Sequence, residues 1–178
     1  MYQLIEKMRI NKFSILTLFI CISFFCNAQK IVEVNYSDSS TLVLNGILLT
    51  KNTDVRNVIK NIGDASKIVG YPNGERNFFY EEYGLLLMTK DTVLTGLGIN
   101  FNWDGDKKFP ITSYTGHLEI GKLKIDKKTK REEINSIKPI EFGCPMDILC
   151  ASKSRTSSVR CTIAFKSDSL TQIVFLLK

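Results

Sequence analysis

Histidine is nearly missing from this sequence: His117 is the only one in 178 residues. Zinc sites draw on His and Cys at short spacings. Neither C-x-x-C nor H-x-x-x-H occurs, so no metal site is expected. A lone histidine also leaves little for nucleophilic or acid–base chemistry. Gly116-His117-Leu118 opens a strand, where a structural or solvent-facing histidine is the plain reading. Long apolar runs are missing too. A membrane helix needs about 20 apolar residues, and the run from Phe13 to Phe25 is shorter and broken by Ser14, Thr17 and Ser23. A strong charge of one sign is missing as well. Lys and Arg number 24 against 18 Asp and Glu, a net +6, far from the basic excess of a nucleic-acid binder. No cofactor, no nucleic acid and no integral membrane span after leader removal are therefore expected.

What is present begins with a leader. Lys7, Arg9 and Lys12 form a basic start, Phe13 to Phe25 an apolar stretch, and Cys26-Asn27-Ala28 a cleavage site before Gln29. Those are the parts of a secretory signal peptide, assigned to residues 1–28. Lipid attachment at Cys21 or Cys26 is disfavoured, because the preceding residue is Ile20 or Phe25 rather than a small one. The product is expected in the periplasm or outside the cell, where disulfides persist. Three cysteines remain, Cys144, Cys150 and Cys161. An odd number allows at most one internal pair: Cys144 with Cys150, Cys150 with Cys161, or three buried thiols.

The chain also repeats itself. Leu118 to Ile137 lies on Leu42 to Asn61 when shifted by 76 positions. Leu118 falls on Leu42, Ile120 on Leu44, Leu123 on Ile47 and Ile125 on Leu49. Further on, Ile163 falls on Leu87, Leu170 on Leu94, Ile173 on Leu97 and Phe175 on Ile99. A fixed period of this kind indicates repeated structural units. Each unit reads as a strand, a short helix and paired strands. Val55, Val58, Ile59 and Ile62 give the first helix its apolar face, and Gly63 ends it. Thr53 stands where an N-cap belongs, and Thr129 with Glu132 makes a capping box for the second helix, which Pro139 stops. Strand-like runs follow at 77–80, 84–89, 93–101, 159–165 and 170–177, joined by short loops; 150–158 reads as a Ser- and Arg-rich loop. The expected fold is α+β: two tandem copies of a strand–short helix–antiparallel hairpin unit, with helices packed on one face of an antiparallel sheet. The first copy with its leading strand takes residues 29–109 and the second 110–178, with the seam at Trp103 to Pro110.

The first copy carries a recognisable cast: a short helix ending Ile62-Gly63, a loop with Gly70-Tyr71-Pro72, the run Phe79-Tyr80-Glu81-Glu82-Tyr83-Gly84-Leu85, and a hairpin ending at Val93 to Ile99. It resembles the tandem helix-plus-antiparallel-sheet modules of the β-lactamase-inhibitor-protein and outer-membrane-assembly-lipoprotein type, over residues 42–101. The second copy departs from the pattern, with Thr156 and Val159 where Tyr80 and Tyr83 would fall. The resemblance implies an exported protein-binding role without catalysis.

Other candidate sites have plainer readings. Asn100 to Gly105 has the first half of a calcium-loop spacing, but Ile111 stands where the bidentate Glu belongs, so a turn is expected. Lys122, Lys124, Lys127, Lys128, Lys130 and Arg131 read first as a solvated strand face and an edge guard; docking to an acidic partner or anionic lipid is the functional alternative. Glu75, Glu81 and Glu82 read as exposed acids of a turn. Tyr71, Tyr80, Tyr83 and Trp103 are the candidate binding residues, since Tyr and Trp concentrate binding energy. The function expected is an exported, non-catalytic binding module of the bacterial-type cell envelope, its partner another envelope or secreted protein. The alternatives are a structural envelope protein or an enzyme of unrecognised type.

Overall fold

The computed structural model describes residues 31–154 and 156–178. The leader expected over residues 1–28 and its cleavage before Gln29 lie outside the described residues. β1 (Glu33–Asp38) alternates, with Val34 and Tyr36 buried and Glu33 and Asn35 exposed. The stretch 41–50 holds two strands, β2 (Thr41–Leu44) and β3 (Ile47–Leu49). Asn45 and Gly46 between them have φ of 47° and 79°, the pair of positive values that a tight hairpin turn requires. α1 (Val55–Ile62) precedes β4 (Lys67–Gly70), β5 (Glu75–Tyr80), β6 (Leu85–Lys90) and β7 (Val93–Asn100). The second half runs β8 (His117–Ile120), β9 (Leu123–Ile125), α2 (Arg131–Asn135), β10 (Phe142–Met146), β11 (Leu149–Ser152), β12 (Val159–Lys166) and β13 (Ser169–Leu177).

This corrects the expected α+β fold. Thirteen strands stand against two short helices among the described residues, and the molecule is mostly β. The helices do not form a layer on one sheet face, as the periodicity and the resemblance both suggested. Two physical reasons account for the error. β4 and β10 are edge strands, so their side chains do not alternate cleanly between core and solvent. The sequence of β11 looks like a polar loop because its two inward residues, Cys150 and Ser152, are small and one of them is polar, although both are buried. With these strands paired, each sheet finds its apolar cover in the other sheet. A single cluster joins Val34, Tyr36, Leu42 and Leu44 of one sheet to Leu87, Leu97, Ile99, Ile173 and Phe175 of the other. The Tyr36 ring meets Phe175 edge-on at 5.3 Å, and its hydroxyl donates to the Val159 carbonyl at 3.2 Å.

The smaller sheet has strand order β3-β2-β1-β8-β9 and the larger β10-β11-β12-β13-β7-β6-β5-β4. The order of each reads outward alike from its centre. β7 and β13 pair antiparallel in the middle of the larger sheet. In the smaller one β1 lies between β2 and β8, antiparallel to the first and parallel to the second. Because β2 and β8 run in opposite directions, any strand between them must take one pairing of each kind.

The registers agree in detail at the same offset of 76. Leu42 pairs with Leu49 and Leu44 with Ile47; Leu118 pairs with Ile125 and Ile120 with Leu123. Leu85 pairs with Ile99 and Cys161 with Phe175, and both hairpins shift register at equivalent points, after Met88 and after Ala164. Neither threonine caps a helix, which corrects a second expectation. The Thr50 amide donates to Thr53 Oγ1 at 2.8 Å, and the Asp126 amide donates to Thr129 Oγ1 at 2.9 Å. Each hydroxyl is turned back to close the loop before its helix. The cap of α1 is Asp54, whose carboxylate accepts from the Arg56 amide at 2.9 Å. At α2 the Lys130 amide donates to Glu133 Oε2 at 2.7 Å.

Candidate functional site

Alternation in a strand puts every second side chain on the face away from the core. On the smaller sheet, the registers set Leu48, Val43, Asn35, Glu119 and Lys124 in one row across all five strands. Glu33 stands opposite His117 beside it. These side chains surround a shallow depression of about 540 Å³ lined by Glu33, Asn35, Val43, His117, Glu119 and Lys124 among others. Leu48, the register partner of Val43, is 55% exposed. None of the side chains of Glu33, Asn35, His117, Glu119 and Lys124 makes a hydrogen bond or ion pair within the described residues. Their donors and acceptors are unused while the strands beneath hold them in place.

The outer face of the larger sheet is divided. Its registers form one row through Ala151, Thr162, Val174, Gly98, Leu86 and Phe79. In the first half, Leu86 and Phe79 are buried; the segment 101–116 packs beside Leu86 at Gly98, and Lys67 Nζ lies 5.5 Å over the Phe79 ring. Phe109 lies so close to Gly98 that a Cβ there would meet its ring at 3.0 Å. The segment is tied down at several points. Asn100 Nδ2 donates to the Thr112 carbonyl at 2.9 Å, the Ile111 amide donates to Glu81 Oε2 at 2.9 Å, and the Tyr114 hydroxyl donates to the Val32 carbonyl at 2.7 Å. In the second half Ala151, Thr162 and Ala164 are half-buried.

The structure splits the four candidate aromatics. Tyr80 is fully buried, with its hydroxyl donating to the Gly63 carbonyl at 3.1 Å. Burial, with the nearby Asp64 charge and Tyr83, pushes its pKa up to about 12. Tyr83 is also buried and stacks on Tyr80 with ring centroids 6.4 Å apart. These two rings belong to the core and cannot be presented to a partner. Tyr71 is 41% exposed beside a smaller depression shared with Glu75, Asn77 and Met88. Trp103 is 45% exposed, with its indole N–H donating to the Asp106 carbonyl at 3.1 Å. It does not line Tyr71's depression.

The remaining motifs serve the frame. Asn102 Nδ2 donates to the Leu170 carbonyl at 2.6 Å, and Asp104 Oδ1 accepts from Gln172 Nε2 at 3.1 Å, so the calcium-like stretch braces the loop against β13. Cys144 and Cys150 form a disulfide between β10 and β11, with Cα atoms 4.1 Å apart. Cys161 is a buried thiol, and burial raises its pKa well above the usual value. The outward row of the smaller sheet was missed apart from His117 and Lys124. Its residues read locally as a solvated face, and only the five-strand register sets them side by side.

Comparison with known proteins adds a family. The model of a family described as a domain of unknown function (DUF7738) matches residues 33–135, a stretch that holds all five strands of the smaller sheet. No curated protein matches the sequence. Among solved structures, a cysteine-rich secretory protein from Staphylococcus aureus subsp. aureus Mu50 is similar at 11% identity and a TM-score of 0.42, over 84% of this chain and 52% of that one. The chain thus spans about half the length of that protein.

Proposed function

We propose that this chain, which belongs to the DUF7738 family, is an exported, non-catalytic binding module of the bacterial-type cell envelope that holds another envelope or secreted protein on the outer face of its smaller sheet. One observation carries the reading: Glu33, Asn35, His117, Glu119 and Lys124 share that face with their polar groups unused, next to the exposed Leu48. A few fixed polar groups around an apolar contact are what a specific interface needs. His117 has Glu33 as its register partner, and neither side chain is hydrogen-bonded. The pair is therefore free to orient a partner. The leader-like residues 1–28 support export, and the Cys144–Cys150 disulfide is compatible with it. We read the halves 29–109 and 110–178 as two copies of one ancestral unit. The support is the set of registers that repeat at an offset of 76.

A photo-cross-linking residue placed at Asn35 tests the site in cells that export the protein. A discrete adduct is expected from position 35 and none from Lys90, which is exposed at the β6–β7 turn. Adducts of equal yield from both positions would reject the site. Intact-mass analysis of the exported product tests export separately: a product that keeps residues 1–28 would reject the leader.

A further inference from the structure

We propose that the β9–α2 end of the molecule rests on a membrane surface rich in anionic headgroups. Residues 31–178 contain 20 Lys and Arg against 17 Asp and Glu. Six of those cations and only one acid, Asp126, fall in residues 122–131. Outside that stretch acids outnumber cations, so the positive excess of residues 31–178 is concentrated in these ten residues. Lys122, Lys124, Lys127, Lys128 and Lys130 are all exposed, and none forms an ion pair within the described residues. The sixth cation, Arg131, is bonded to Asp147 at the tip of the β10–β11 hairpin. That tip is flanked by Met146 and Ile148, 51% and 59% exposed.

Five flexible, strongly hydrated ammonium groups suit a diffuse plane of negative charge, whereas Arg forks suit fixed bidentate contacts. Cations beside exposed apolar side chains are the composition of an interfacial anchor: the charges meet headgroups while the apolar residues enter the acyl boundary. The fold itself does not require the lysines. The equivalent residues 46–55 hold one cation, Lys51, and one acid, Asp54, and support the same strand, loop and helix. Of the five lysines only Lys124 also borders the depression on the smaller sheet's outer face, and the substitutions below leave it in place, so failure here and failure of the proposed partner site are distinguishable.

The test is co-sedimentation of the full chain with phosphatidylcholine vesicles, with and without phosphatidylglycerol. Wild type and variants are run side by side, so that any contribution of residues 1–30 cancels. Binding is expected only with phosphatidylglycerol and should fall steeply as salt rises. Lys127→Gln, Lys128→Gln and Lys130→Gln together should lower the partition coefficient on the order of a hundredfold, with an unchanged urea midpoint. Met146→Ser with Ile148→Ser should weaken binding at fixed salt, while Tyr71→Ser should not. Equal binding to neutral vesicles, or a triple lysine variant that binds like wild type, would overturn the proposal. So would loss of vesicle binding alongside retained capture of soluble polyaspartate, which would assign the stretch to an acidic polypeptide. Self-association abolished by the same lysine substitutions would assign it to a second copy, also against the proposal.

Discussion

The two halves, 41–100 and 117–177, use one plan and present different surfaces. Inward positions correspond as apolar pairs: Leu42 with Leu118, Leu44 with Ile120, Leu87 with Ile163 and Leu97 with Ile173, all buried. Outward positions do not correspond. Val43 matches Glu119, Leu48 matches Lys124, Leu86 matches Thr162 and Gly98 matches Val174. The core between the sheets accepts only apolar groups of fitting volume, while the outer faces are free of that constraint. The frame is therefore common and the chemistry local. The first half has an apolar outer face on the larger sheet, with residues 101–116 packed beside it at Gly98. The second half has an outer face of smaller and mixed residues, Ala151, Thr162, Ala164 and Val174, half-buried without that segment, and carries the basic stretch 122–131.

The comparison would break first in the core. Leu87→Ala and Ile163→Ala remove equivalent, fully buried side chains, and each should cost about 2–5 kcal/mol. Urea unfolding should show similar midpoint shifts at unchanged slope. A shift at one site only would mean that the halves do not share a core in the way their registers suggest.

The next effect separates the outer faces. Gly98→Val imports the residue found at the equivalent position 174, but a Cβ at Gly98 meets Phe109 at 3.0 Å and Leu86 at 3.3 Å. The crowding should cost about 1–3 kcal/mol and free the segment 101–116, seen as faster amide exchange at Ile111 and Tyr114. The reverse change, Val174→Gly, has no such cover to disturb. It should cost only about 0.5–1 kcal/mol from the flexibility of glycine in a strand.

Smaller again is the loop before each helix. Thr53→Ala and Thr129→Ala each leave one amide without its hydroxyl acceptor, at Thr50 and Asp126. Each loss should cost about 1 kcal/mol. The two costs should be alike because the bonds are alike, and a large shift at one position alone would show that the loops differ in role.

These loops also show what the sequence could reveal. The repeat and the apolar faces of the strands follow from local pattern. The threonines were recognised as a matched pair, but their partner lies three residues back and not in the helix ahead. Only backbone coordinates distinguish those two uses of one hydroxyl. The mostly β architecture was hidden for a related reason. β4 and β11 are identified by whom they pair with, Lys67 with Phe79 and Cys150 with Ile163, and pairing partners leave no local periodicity. The site suffered in the same way: Asn35, Val43 and Glu119 are neighbours only through the ladder.

The smallest difference is a titration. Hydrogen bonds from Arg56, from its side chain first and then its amide, together with nearby positive charge hold the Asp54 carboxyl at about 2, below its usual 3.8. A lowered carboxylate pKa adds stability that is present above 3.8 and lost as pH falls towards 2. The second helix spans Arg131–Asn135 with Lys130 at its N-cap, so no carboxylate occupies the position that Asp54 holds in the first. Between those pH values, NMR should show the Arg56 amide moving with the titration while the Glu132 amide does not follow it. Equal movement of both would show that Asp54 is not the source.

The most direct test of a common frame with local chemistry makes the second half's outer face look like the first. Glu119→Val with Lys124→Leu copies Val43 and Leu48 into their equivalent positions and touches no inward residue. Cross-linking from Asn35 is then measured in a protein whose stability should stay within about 0.5 kcal/mol of wild type, as for other surface changes. The account predicts loss of the adduct. An adduct that persists at the wild-type yield would contradict it, because the outward row would then not be where the partner is held.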